Sequence, residues 1–138
     1  MGLKDYTDAF THYGATLNNC QWSVSAFSTN GEFVISVWED ELKYDKKTKT
    51  TTYSVPISTW GCNPSGQNEF RTHLKQVLSE TPKPHVRLIK AIRPVNHITA
   101  TGESDRSKAK GFDAIEHLVG EVVSFNDDIP IIVFQGKI

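Results

Sequence analysis

The chain has 138 residues, of which 38% are hydrophobic and 22% charged, and its formal net charge is −1. That length suits a single domain with a core of its own, and the composition argues against disorder. No apolar run approaches the roughly 18 residues that span a bilayer, and Met1–Tyr6 lacks the basic-then-apolar pattern of a secretory signal, so the expectation is one cytoplasmic domain over residues 1–138 with no membrane partner.

Leu3, Tyr6, Phe10 and Tyr13 recur at helical spacing and predict a short helix over 3–13, ended by Gly14. Gln21 to Phe27 alternates as a strand, with Trp22, Val24 and Ala26 on one side and Ser23, Ser25 and Phe27 on the other. Asn30-Gly31 tolerates positive φ and predicts a hairpin turn into Glu32–Trp38. The two faces of that second strand are Phe33, Ile35, Val37 and Val34, Ser36, Trp38. Lys46-Lys47-Thr48-Lys49 reads as the tip of a second hairpin, returning through a threonine-rich strand to Tyr53 and ending at Pro56. Trp60 to Gly66 is rich in turn formers and reads as a loop. Phe70, Leu74, Val77 and Leu78 then line one face of a helix from Gln67 to Ser79, stopped by Pro82 and Pro84. His85 to Ile92 reads as a strand closed by Pro94, and Asn96 to Gly111 as a polar loop. Residues 113–118 suggest a short turn or helix, and Val122–Phe125 with Ile131–Phe134 a last hairpin around Asn126-Asp127-Asp128. The fold class expected is α+β: a mostly antiparallel twisted sheet of about five to seven strands with one main amphipathic helix on it.

The charge is uneven. Between Thr81 and Lys110 the basic residues Lys83, Arg87, Lys90, Arg93, Arg106, Lys108 and Lys110 face only Glu103 and Asp105, leaving +5 there and −6 elsewhere. A segment of this kind suits an anionic partner, and Trp22, Trp38 and Trp60 would supply stacking surfaces for bases if exposed. Trp22, Trp38, Trp60, Arg87, Lys90, Arg93, Arg106, Lys108 and Lys110 are therefore the candidate binding residues; buried tryptophans and a solvated charge cluster are the plainer reading of the same residues.

Local chemistry is sparse. Cys20 and Cys62 form no Cys-x-x-Cys pair and read as free thiols. His12, His73, His85, His97 and His117 have no metal-ligand spacing, and there is no nucleophile elbow or P-loop, so no catalytic residue, cofactor or metal is assigned. Asp40, Glu41 and Lys43 have the composition of a metal-dependent nuclease site, provided that their side chains converge.

Two stretches carry a resemblance. Gln21–Ala26 with Asn30–Asp40, ending Trp38-Glu39-Asp40, resembles a hairpin of uncharacterised small phage and bacterial proteins, and Arg106–Phe112 is similar to a basic-Gly-Phe stretch in the same proteins. Some of these are linked to HNH-type nucleases or restriction functions. Val24 stands where the pattern has a second aromatic, and no HNH motif is present. What the resemblance implies is a DNA-centred phage or bacterial setting. The leading reading is a non-enzymatic accessory domain that contacts nucleic acid in phage–host conflict. The alternative is a small phage-type inhibitor or protein-binding module acting on a host enzyme, and the third is the nuclease.

Overall fold

A computed structural model describes residues 4–19, 22–60, 63–92 and 109–136. Within them Lys4–Asn19 contributes helix α1, Tyr6–His12, shorter than the apolar spacing suggested. The first hairpin forms as expected: β1, Ser25–Phe27, pairs antiparallel with β2, Phe33–Trp38, and Gly31 takes φ +86° in the turn. The first strand is shorter than its alternation implied, so Trp22 and Val24 precede it rather than sharing a face with Ala26.

A 3-10 turn, Glu39–Glu41, leads into β3, Leu42–Asp45, which pairs with β4, Thr50–Tyr53, around the lysine-rich tip. Helix α2 runs Pro64–Ser79 and starts three residues before Gln67. Residues 63–66 of the segment read as loop are a helix start: Asn63 adopts φ 73°, its side chain accepts from the Gly66 N–H, and Pro64 occupies the first turn, where its missing N–H costs nothing.

β5, Val86–Ile92, lies parallel to β2, from Phe33 opposite Val86 to Trp38 opposite Ala91. The return through α2 brings the chain back to the end of the sheet where β2 began, which an antiparallel hairpin cannot do. Residues 113–118 hold the turn, at Glu116 and His117, and no helix; before it β6, Gly111–Ala114, pairs antiparallel with the second half of β5. β7, Leu118–Phe125, and β8, Pro130–Gly136, extend the last hairpin at both ends.

Among the described residues eight strands make one mixed sheet in the order β1-β2-β5-β7-β8-β4-β3, with β6 beside β5 and with β2·β5 as the one parallel pairing. The fold is α+β with one main helix on a sheet. Two cores flank the sheet. On one face α2 packs Phe70, Leu74 and Val77 on Phe33, Ile35, Leu88, Val122, Ile132 and Phe134. On the other, α1 packs Ala9 and Phe10 on Val34, Trp38, Ile89, Ala91 and Phe112. Covered on both sides, β2 buries all six residues, as a near-continuous apolar strand should.

The β7–β8 turn is tied to α2. Arg71 Nε donates to the Asp127 carbonyl at 3.1 Å, and Lys75 Nζ lies 2.9 Å from the Asp127 carboxylate. Asp128 accepts from the Ser58 N–H at 2.8 Å and the Ser58 hydroxyl at 2.9 Å, and these bonds hold its carboxyl below the usual carboxylate value. No helix among the described residues is long and apolar enough to cross a membrane.

Candidate functional site

The described candidate residues, Trp22, Trp38, Trp60, Arg87, Lys90 and Lys110, do not converge on one surface. Trp38 is 1% exposed in the α1-side core, and Trp60, 8% exposed, stacks on Phe70 with ring centroids 5.6 Å apart. Neither presents a ring face on which a base could stack. Trp22 is half-buried, and its carbonyl accepts from Asn63 Nδ2 at 2.9 Å. Three of the basic residues are matched to carboxylates: Lys83 to Glu121 at 3.3 Å, Arg87 to Glu32 at 3.4 Å and Lys90 to Glu39 at 3.8 Å. Lys110 is exposed, and its N–H donates to the Ile92 carbonyl at 2.7 Å, so the chain leaves and re-enters the sheet at one place. Arg93, Arg106, Lys108, Cys20, Cys62 and most of the loop from Asn96 lie outside the described residues.

The other chemical possibilities find little support. Asp40 and Glu41 sit on the 3-10 turn, where each has an interaction of its own, and Lys43 alternates on β3 with Leu42, whose side chain packs on the α2-side core. Among the described residues no group of three or more His, Cys, Asp or Glu is arranged to hold a metal ion. His73 Nδ1 and Ser25 Oγ are 2.7 Å apart, a base–hydroxyl pair in outline, yet Ser25 is fully buried and out of a substrate's reach.

That histidine has a structural consequence instead. Burial against Phe27 and Phe33 holds its pKa below the ordinary 6.5, opposed by the nearby Glu69 carboxylate. A base whose folded pKa is depressed gives stability that is complete above the unfolded value and is lost as pH falls through the folded one. Urea midpoints are therefore expected to fall between pH 7.5 and pH 5, and His73→Asn should flatten that slope. The Asp128 carboxyl acts with the same sign but below its ordinary 3.8, a separate window.

What the sequence did not reveal is a sheet face that the described residues leave uncovered. Among the described residues, the α1-side core covers the β1, β2, β5 and β6 part of its side of the sheet. Beyond it, cross-strand rows run Val119–Gln135–Thr50–Asp45 and Glu121–Val133–Thr52–Lys43 across β7, β8, β4 and β3. Val123 and Ile131 are 50% and 36% exposed, large apolar side chains left facing water. A period-2 reading of β7 and β8 carries the signal, because Val119, Val133 and Ile131 fall opposite the core positions Ile132 and Phe134.

This face runs into a cleft of about 450 Å³ whose walls include Val119, Val133, Gln135, Glu32 and Arg87. Arg87 is 8% exposed; its Nη2 donates to the Glu116 carbonyl at 3.0 Å, and the guanidinium lies 4.8 Å from the Tyr13 ring centroid. Burial pushes the Tyr13 phenol up to about 12 despite the adjacent guanidinium, so it stays a donor, bonded to the Leu88 carbonyl at 3.1 Å. On the outer side, Glu116 closes an ion pair with His12 of α1.

The described residues thus define an α+β fold with an eight-stranded mixed sheet, part of one face of which they leave open. No protein-family model, curated protein or solved structure matches the chain.

Proposed function

We propose that this chain is a non-enzymatic binding domain whose partner is a protein, engaged through the open face of β7, β8, β4 and β3. The observation that carries the reading is the apolar surface of Val123 and Ile131, exposed among the described residues, with half-buried Val133 between them and a polar cleft. Apolar side chains at the centre with polar ones around them are the make-up of a protein interface. The mixed signs of Lys43, Asp45 and Glu121 along the rows favour a protein over a polyanion. In the phage–host setting that the hairpin resemblance implies, the partner is a host enzyme.

The test is capture from nuclease-treated extract by the wild type and by Val133→Arg, both verified as folded. A stoichiometric protein recovered by the wild type and bound about tenfold more weakly by the variant is expected. Equal recovery by both would overturn the reading.

Nucleic acid remains a second reading because Lys110 bonds back to Ile92, so the parts of the basic segment on either side of residues 93–108 meet at one place. It requires saturable binding to DNA or RNA at low salt, weakening steeply as salt rises.

A further inference from the structure

The Arg87 guanidinium is under-used where it stands. It has five N–H donors in a planar fork, yet Nε is buried with no hydrogen-bond partner among the described residues, and the contact from Nη1 to Glu32 is long at 3.4 Å. A buried donor left unbonded forfeits the hydration it would have in water, and native proteins seldom keep one without a role. Glu32, its counter-ion among the described residues, is in the β1–β2 turn directly after Gly31. That side chain divides two concavities. The first, about 450 Å³, has Arg87 on its wall and the second, about 520 Å³, has Lys83, while His85 and Glu121 line both.

We propose that Arg87 is the receptor for a carboxylate supplied by the partner, which displaces Glu32 toward the Lys83 side. The inference rests on the protein-binding reading and names the group that the partner brings. A planar carboxylate matches the guanidinium fork. Glu121 beside the cleft disfavours a doubly charged phosphate, while Val119 and Val133 accommodate an apolar side chain next to the carboxylate. Ligand and Glu32 compete for one cation, so removing the Glu32 charge strengthens binding. Tyr13 and the Glu116 carbonyl hold the guanidinium in place throughout the exchange.

The experiment is an NMR titration of the full isotope-labelled chain, following the Arg87 Nε–H signal and the Val119 and Val133 methyls. The probes are acetyl-alanyl-valine as the free acid, the same peptide as its C-terminal amide, acetyl-aspartate amide and inorganic phosphate. The free acid is expected to shift all three signals saturably and the amide to bind about tenfold more weakly, the loss of one charge-assisted pair. Comparable shifts from acetyl-aspartate amide would assign the group to an acidic side chain; their absence would assign it to a chain end. Glu32→Gln should tighten free-acid binding several-fold, and Arg87→Lys should weaken it. Equal binding of acid and amide, tighter binding of phosphate, no saturable shift, or no gain in Glu32→Gln would each overturn the proposal. Should Val133→Arg lose the captured partner while Arg87→Lys keeps it, the carboxylate site fails and the binding face stands.

Discussion

Trp38→Ala is expected to destabilise the domain by about 3–5 kcal/mol, the usual cost of emptying a buried tryptophan site. The ring is 1% exposed and belongs to the core that α1 closes with Ala9, Phe10, Val34, Ile89, Ala91 and Phe112. Against a total stability of roughly 5–15 kcal/mol for a domain, this loss leaves the chain marginal or unfolded at 37 °C. Urea denaturation reads it directly, with Trp38→Phe retaining most of the ring packing and losing less. A surface tryptophan used for stacking would behave in the opposite way. Its removal would leave the urea midpoint almost unchanged and abolish binding. An unchanged midpoint in Trp38→Ala would return this residue to the candidate binding surface.

Gly66→Ala is expected to cost about 2 kcal/mol, although alanine is the better helix former by about 1 kcal/mol. A Cβ at this position would stand 2.5 Å from the Trp22 carbonyl oxygen and 2.2 Å from Asn63 Nδ2. The side-chain amide can move, at the cost of the cap, which is worth about 1 kcal/mol; the backbone oxygen has less freedom, and overpacking of this kind costs about 1–3 kcal/mol. Steric cost therefore outweighs propensity. Asn63→Gly separates the two effects: it keeps the positive φ, frees the space and gives up the side-chain bonds, so its loss should be a few tenths of a kcal/mol as judged by cap substitutions. A stabilised Gly66→Ala would mean that the start of α2 does not pack on the Trp22 carbonyl.

Local signals were legible where chemistry and conformation coincide. Asn30-Gly31, the lysine-rich tip before Thr50 and Asn126-Asp127-Asp128 each mark a hairpin that forms. Phe70, Leu74 and Val77 mark the buried face of α2. The start of that helix was hidden because Asn63-Pro64-Ser65-Gly66 serves equally as a turn and as a cap followed by a first-turn proline. The parallel pairing of β2 with β5 depends on residues some fifty positions apart and leaves no local trace. β6 is only four residues long and owes its strand to the backbone of β5.

The candidate site was harder still. Trp38 alternates as a surface residue would, but β2 is covered on both faces, so alternation says nothing about exposure. The basic segment looked like an anion-binding surface because Glu121, Glu32 and Glu39, which answer Lys83, Arg87 and Lys90, come from other parts of the chain. The open face became visible only once the α1-side core was seen, among the described residues, to cover β1, β2, β5 and β6 and to leave β7, β8, β4 and β3 uncovered.

The measurement that bears most directly on this account places a photo-cross-linking amino acid at position 133, on the open face, in one full-length protein and at position 110, beside the basic segment, in another. Cross-linking in extract from the native cell is expected to give a discrete protein adduct from position 133 and none from position 110. Adducts from position 110 alone, or nucleic acid as the cross-linked species, would contradict it.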